Sequence, residues 1–492
     1  GEVWLTDVRV FDAETGEDVL VRDSFSTRAA FDETWKVFPP DERNTVGAVE
    51  VADGGVHVTI TDPPGGNWPN FHLHSNIALS FEADRTYICA FRVRATPDRT
   101  VNPAVYHVFA GVWSNIGGPP GPFLKQVAIA RDAGVSFVSF GAPSCWVAPE
   151  EELDFTPMDQ VCESIIAVNP DVLLVPRVRA NAPSWWLHAH PEARMVYEGD
   201  APGRFASVSN RQYRADAAAH LENLCRHLTE RFPDNFAGIH PCGQNTGEWF
   251  YEDSWKRPLS GYDPATLTAW RKWLAARGFE DAASARVPDA ESRHVAPEGL
   301  LRDPASELML IEFSRFQQRE MAEMVLELAA AARRGTDGKK LVVFFYGYHY
   351  EFGALPNGAP VAGHYALGHV LKSDDIDIFC SPISYTDRQW PGTGSCMSPA
   401  ESIRDAGIMW LNEDDTRTYL SGTTRYGGVV DIQQTRDVML RNTAQAALRG
   451  FATWWMDLPG EGWFADPEIW RELVRLRPVD AAMIARRKRF AP

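Results

Sequence analysis

Residues Gly407 to Thr418 read GIMWLNEDDTRT: one glycine, four apolar residues, then Asn412, Glu413, Asp414, Asp415 and Arg417. A short apolar run bounded by glycine is the pattern of a strand covered on both faces, and the carboxylates begin where that strand must end. In a barrel of parallel strands the reacting groups stand just past the carboxyl ends of the strands, where the loops converge on one cavity. Glu413 falls at that position. Strand ends are polar in any fold, so a second carboxylate at another strand end has to decide whether this one is functional.

The same rhythm of strand, loop and helix fills the chain from about residue 105 onward. Apolar runs at AVYHVFAG, VSFVSFG, DVLLVPRVRAN, FAGIHPC, KLVVFFYGYHY, DIDIFCSPISY, IMWLNE and FATWWMDL alternate with helical segments such as GPFLKQVAIARDAG, DQVCESIIAV and RQYRADAAAHLENLCRHLTERF. Eight such units predict a closed parallel (β/α)8 TIM barrel, an α/β fold, over residues 105–492. An open doubly wound sheet would want a glycine-rich phosphate turn after its first strand, and no GxGxxG follows it. Between Gly261 and Lys340 one unit is longer. It holds a helix at DPATLTAWRKWLAARG, a loop-like insertion near Ser284 to Arg302, and a long helix in which Leu308, Ile311, Phe313, Phe316, Met321, Met324 and Val325 recur at helical spacing. That stripe marks a buried face, and the insertion either shapes the cavity or supports a homo-oligomer contact.

Residues 1–104 read differently: VWLTDVRVF, VHVTI, IALSF and YICAFRVRA are short, often alternating, and separated by turn clusters such as ADGG and DPPGG, with no helical pattern between them. They predict an N-terminal β-sandwich acting as an accessory domain. Trp35, Trp68, Phe71, His72 and His74 could form a sugar-binding surface, but aromatics in a sandwich are more commonly core, and no site is assigned to them.

Length and charge agree with this division. A chain of 492 residues exceeds what one core usually supports. The formal charge of −18 would repel phosphate backbones and anionic lipid, which argues against nucleic acid and membrane as partners and favours a neutral or cationic small substrate. Seven cysteines without a CxxC pair offer neither a disulfide framework nor zinc-knuckle spacing. With no signal-peptide pattern at the start, a cytoplasmic setting is expected; secretion with the signal removed is the alternative.

The second carboxylate lies in GQNTGEW after the fourth strand, at Glu248. Strands four and seven lie on opposing parts of a barrel mouth, so Glu248 and Glu413 can face each other across one cleft, the arrangement for paired acid/base and nucleophile work on a glycosidic bond. On these residues the chain resembles the clan A glycoside hydrolases, most closely the β-galactosidase-like enzymes of family 42, from about Val105 to the C-terminus. The resemblance implies a retaining double displacement on a carbohydrate substrate, with Glu248 as acid/base, Glu413 as nucleophile and no cofactor or metal. It also implies that Tyr385, in SPISY on strand six, hydrogen-bonds the nucleophile, and that Trp454 or Trp455 on strand eight floors the first subsite. Exo attack on a terminal sugar is the expected mode.

The chain departs from the clan pattern in two places. The residue before Glu248 is Gly247 rather than Asn, so Asn245 would have to take that role, and strand two offers no arginine for the nucleophile. Arg177, Arg179 and Asn181 at the end of strand three alternate onto one face and could supply it, or bind an acidic sugar. Aromatics gather at the expected mouth: Trp185 and Trp186, Trp249, Tyr346, Tyr348 and Tyr350, with His349 in reach of a sugar hydroxyl. Two other readings compete. His188 and His190 with Asp457 suggest a metal-dependent amidohydrolase-type barrel, but such enzymes need the HxH pair at strand one. The missing Asn-Glu pair would suit a catalytically inactive carbohydrate-binding protein.

Overall fold

The computed structural model describes residues 1–20, 25–38, 47–52, 54–61, 72–75, 79, 81, 85–96, 120–148, 153–256, 258–294, 301–351, 357–458 and 462–486. The chain divides into two compact units, Gly1–Val108 and Phe109–Pro492.

In the first unit, β1 (Glu2–Asp12), β3 (Gly47–Ala52), β4 (Gly55–Ile60) and β6 (Tyr87–Thr96) form an antiparallel sheet in the order β3-β4-β1-β6, and β2 (Trp35–Phe38) pairs with β5 (His72–Ser75). Alternation along β1, β3 and β4 turns Val3, Leu5, Val49, Val51, Val56 and Val58 to one face, where they pack with Phe25, Phe31 and Trp35. Trp35 is therefore core in this unit; Trp68, Phe71 and most of IALSF lie outside the described residues. A helix does interrupt the strands, contrary to the expectation: Arg28–Thr34 is capped by Thr27, whose hydroxyl accepts the Ala30 N–H at 3.1 Å. The cap is a local signal that an alternation count passes over.

The second unit is built on seven parallel strands: β7 (Phe137–Gly141), β8 (Leu173–Arg179), β11 (Gly238–Cys242), β12 (Leu341–Phe345), β13 (Ile378–Pro382), β14 (Met409–Asp414) and β15 (Ala452–Trp455). They neighbour one another in chain order, as in a TIM-like barrel. AVYHVFAG, the predicted first strand, lies outside the described residues. Between β8 and the helix Arg211–Arg231 the chain adds a hairpin, β9 (Arg194–Tyr197) and β10 (Ala201–Ala206), which the sequence reading did not place. The long helix spans Leu308–Gly335 and buries Phe313, Phe316, Met321, Met324 and Val325, while Leu308 at its first turn is exposed. No helix among the described residues is long and apolar enough to cross a membrane.

Parallel register decides which side chains share the barrel interior. His240 pairs with Arg177, Cys242 with Arg179, and Glu413 with both Pro382 and Trp454. Beneath the mouth, His240 packs on Phe345 at 4.4 Å and Trp454 at 5.6 Å between ring centres, so the interior is filled rather than open.

Candidate active site

Glu248 sits on a turn held in an uncommon backbone shape. Gln244, Thr246 and Trp249 take left-handed φ values of 57°, 57° and 64°, and Gly247 one of 80°. A side chain in that region costs on the order of 1 kcal/mol or more, and β-branched Thr246 is the least suited of them. Hydrogen bonds over-determine the turn: Trp249 N–H donates to Gly243 C=O at 2.9 Å, Glu248 N–H to Asn245 C=O at 3.2 Å, and Asn245 N–H to Phe250 C=O at 3.0 Å. From just past the end of β8, the Asn181 side-chain oxygen accepts the Gln244 N–H at 2.6 Å. The Trp249 ring anchors the whole from below, fully buried, its indole N–H donating to Pro241 C=O at 3.2 Å. A Cβ at Gly243 would come within 2.6 Å of that ring. Gly243→Ala is accordingly expected to destabilise the chain by about 1–3 kcal/mol and to lower turnover by displacing Glu248, as thermal unfolding and steady-state rates would show.

The Glu248 carboxylate accepts a hydrogen bond from Tyr348 Oη at 2.9 Å. His364, which the sequence reading missed, braces both partners. Its Nδ1 accepts the Gly347 and Tyr348 N–H groups at 3.1 and 3.2 Å, which leaves Nε2–H to donate to Glu248 C=O at 3.0 Å. Burial holds this imidazole neutral, well below the usual histidine range. Its signal in the sequence is weak, a lone histidine in a loop between β12 and β13.

Glu413 is the next-to-last residue of β14, with its side chain turned inward and buried. Arg177 Nη1 approaches Glu413 Oε2 at 3.6 Å, a contact longer than a hydrogen bond. The guanidinium lies 4.8 Å from the Phe345 ring centre and 5.4 Å from that of Trp454. Four buried polar atoms around this point have no hydrogen-bond partner among the described residues: Glu413 Oε2, Arg177 Nε, Trp454 Nε1 and His240 Nδ1. Unsatisfied buried groups are costly unless a ligand or water completes them, which makes this point a candidate for ligand binding.

The electrostatics join the two glutamates. Burial raises the Glu248 pKa, against the pull of the Thr246 and Tyr348 hydroxyls and Arg177. Burial pushes Glu413 up to about 8; Arg177 offsets this in part, and the negative charges of Glu248 and Asp415 add to it. Burial thus favours the protonated form of both groups, and the charge of Glu248 adds to the effect at Glu413.

Alternation at the strand end separates the three acids of the opening stretch. Asp414 points away from the barrel and accepts Asn442 Nδ2 at 2.6 Å. Asp415 returns to the mouth, fully buried, bound by Arg388, by Arg417 at 2.5 Å and by Tyr385 Oη at 2.9 Å. Burial opposes its charge, but the two arginines prevail and hold its pKa below the usual range.

Several expected contacts are corrected by this geometry. Tyr385 donates to Asp415, not to Glu413, because two arginines fix Asp415 in its path. Trp249 and Tyr346 are fully buried, the latter donating to Gly363 C=O at 2.8 Å, so neither offers a face to a sugar. Tyr348 is buried too and serves Glu248 instead. Asn181 is occupied with the turn, and Asn245 Oδ1 accepts Arg204 Nη2 from the β10 hairpin at 2.6 Å. His349 stacks on Tyr365 at 4.5 Å with Nε2 3.1 Å from His364 C=O. Of the strand-eight pair, Trp454 lies beneath Arg177, whereas Trp455 packs outward on Phe464. Arg179 is exposed at the end of β8. The HxH pair is spent elsewhere: His188 Nδ1 lies 2.7 Å from Ser184 C=O and His190 packs on Trp186. Among the described residues no group of three His, Cys, Asp or Glu could hold a metal.

The fold and this geometry agree with comparisons to known proteins. The family model for glycoside hydrolase family 42, described as beta-galactosidase, matches residues 121–278. No curated protein matches the chain. Among solved structures, the catalytic domain of beta-amylase from Paenibacillus polymyxa is similar with a TM-score of 0.51 at 13% identity, over 72% of this chain and 94% of that one. A beta-galactosidase from the psychrophilic Marinomonas ef1 is similar with a TM-score of 0.51 at 12% identity, over 75% of this chain but only 58% of its own length. At such identities the likeness is one of fold. The family match, which covers the segment from the first described barrel helix through the Glu248 turn, relates the chain to the clan A glycoside hydrolases of family 42.

Proposed function

We propose that the enzyme cleaves β-glycosides, as the beta-galactosidase description of its family suggests, by a retaining double displacement in a closed (β/α)8 barrel. The observation that supports this reading is that Glu248, on the turn after β11, and Glu413, near the end of β14, are both buried within the electrostatic reach of Arg177, and that the charge of Glu248 acts on Glu413. Glu248 donates a proton to the leaving oxygen, then takes one from water. Glu413 attacks the anomeric carbon, and Arg177 offsets its charge as it ionises. Unpartnered Arg177 Nε and Trp454 Nε1 are donors for the sugar hydroxyls. Substrate donors that complete Glu413 Oε2 would lower its pKa from the high value of the empty site, so binding itself prepares the nucleophile.

Retention needs the two carboxyl groups about 5 to 5.5 Å apart, and inversion needs about 6.5 to 9.5 Å. Proton NMR of a β-galactoside digest should show the β-anomer of the released sugar first, with the α-anomer growing in by mutarotation. First appearance of the α-anomer would replace double displacement by a single water attack. Release of the terminal monosaccharide alone would agree with exo action; internal oligosaccharides would exclude it.

A further inference from the structure

We propose that Tyr348 is the positioning residue of the acid/base, set in place by His364: its hydroxyl occupies Glu248 Oε1, so that the proton passed to the leaving oxygen is carried on Oε2. The inference rests on the glycosidase reading and adds to it the residue that orients the acid.

Tyr348 Oη donates to Glu248 Oε1 at 2.9 Å. The ring cannot swing away, since it is fully buried and packs edge-on to Phe250 at 5.2 Å and to Phe345 at 6.4 Å between ring centres. Burial holds the phenol far above its usual ionisation range, so it meets the carboxyl as a donor throughout the reaction. A protonated carboxyl that accepts a hydrogen bond on one oxygen keeps its own proton on the other.

The backbone around the pair is built to hold it. Gly347, at φ 88°, turns the chain after β12 so that its own N–H and that of Tyr348 converge on His364 Nδ1, at 3.1 and 3.2 Å. The same imidazole donates from Nε2 to Glu248 C=O at 3.0 Å, which ties the acid and its hydroxyl partner to one ring. That ring is itself fixed, fully buried and stacked on Phe250 at 3.9 Å and on Tyr346 at 4.9 Å. Gly363 lets it come so close: it takes φ 92°, and a Cβ there would lie 3.1 Å from Trp249 C=O. Other groups face Glu248 as well. Thr246 on its own turn, Arg177 from β8 and Asp415 beyond β14 act on its charge, and Glu413, Cys242, Cys380 and Tyr385 feel it in turn. Replacing Tyr348 by Phe leaves all of them in place, so a change in the acid belongs to the hydroxyl.

The test is Tyr348→Phe in the full chain, which deletes one oxygen and keeps the ring. On methyl β-galactoside, whose departing oxygen needs the acid, kcat should fall by roughly tenfold, while formation of the glycosyl-enzyme from dinitrophenyl β-galactoside should hold within about twofold. Because the hydroxyl favours the ionised carboxyl, its removal should carry the alkaline limb of the alkyl-glycoside profile to higher pH. Both effects are required. Equal losses on the two substrates would reduce Tyr348 to a packing residue, and an unmoved or lowered limb overturns the proposal as surely. His364→Asn, whose side-chain oxygen can stand in for Nδ1, should keep more of the alkyl-glycoside rate than His364→Leu, and equal rates would remove His364 from the arrangement. If the wild-type chain cleaves no glycoside, the hydrolytic reading fails on its own. NMR titration of carbon-labelled glutamate carboxyls, with Glu248→Gln to assign the signal, then decides: a Glu248 pKa that rises in Tyr348→Phe supports the role of the hydroxyl, and an unchanged one rejects it.

Discussion

Glu413→Gln is expected to abolish turnover and, relative to the wild-type chain, to gain thermal stability as pH rises from about 5 to about 8. The first effect follows from removing the nucleophile, and a loss on the order of 10⁴-fold or more is expected even with an activated leaving group. The second follows from burial. An unfolded glutamate releases its proton near 4.5, whereas folded Glu413 keeps it up to about 8. Stability contributed by such a group is full below the unfolded value and is lost as pH climbs through the folded one. At pH 7 the loss is on the order of 3 kcal/mol, a large share of what usually holds a domain together. Glutamine cannot ionise and escapes it, although it leaves Arg177 without its counter-charge. The pH slope of the difference in melting temperature is therefore the readout, since an unpaired arginine shifts both ends of the range alike. A flat difference would show that Glu413 ionises freely in the empty site. If Glu413→Ala retained substantial activity on an activated substrate while Asp415→Ala lost it, the nucleophile would move along the same loop.

This cost was not visible in the sequence, although the position was. GIMWLNE and FAGIHPC could be placed as strands because fully covered parallel strands are short apolar runs, and β14 and β11 fall on them. Register then brings Glu413 beside Trp454 with no further information. What strand alternation cannot follow is the chain once it leaves the strand. Trp249 and Glu248 are adjacent, yet left-handed residues on the turn send one ring into the core and one carboxylate toward Tyr348. The aromatic cluster was read as a sugar platform because composition carries no direction. Tyr346 and Tyr348 instead point to Gly363 and Glu248, and their hydroxyls answer buried acceptors rather than a ligand. The resemblance pairs Tyr385 with the nucleophile, but Arg388, three residues after it, and Arg417, two residues after Asp415, hold Asp415 in its way. The hairpin that delivers Arg204 to Asn245 has strands of four and six residues, too short for periodicity to separate from loop.

Glu248→Ala should divide substrates by leaving group. A general acid matters in proportion to the basicity of the departing oxygen, so alkyl glycosides should lose roughly 10²- to 10⁴-fold, while a dinitrophenyl glycoside should form the glycosyl-enzyme at nearly the original rate. The second step then stalls, because water has no base to activate it. Azide needs none: entering the space that the carboxylate left, it should attack the intermediate and restore turnover as a β-glycosyl azide, identifiable by NMR. The pH profile gives an independent sign. With Glu248 raised by burial, the wild-type rate on a poor leaving group should fall as pH rises past its pKa, and that limb should vanish in the alanine variant. Rescue of Glu413→Ala as the β-glycosyl azide, with Glu248→Ala giving the α-glycosyl azide instead, would exchange the two roles. That outcome has a physical route, since burial raises the pKa of both carboxyl groups. The product's anomeric configuration distinguishes the assignments without reference to rate, because azide must enter from whichever face the missing carboxylate has vacated.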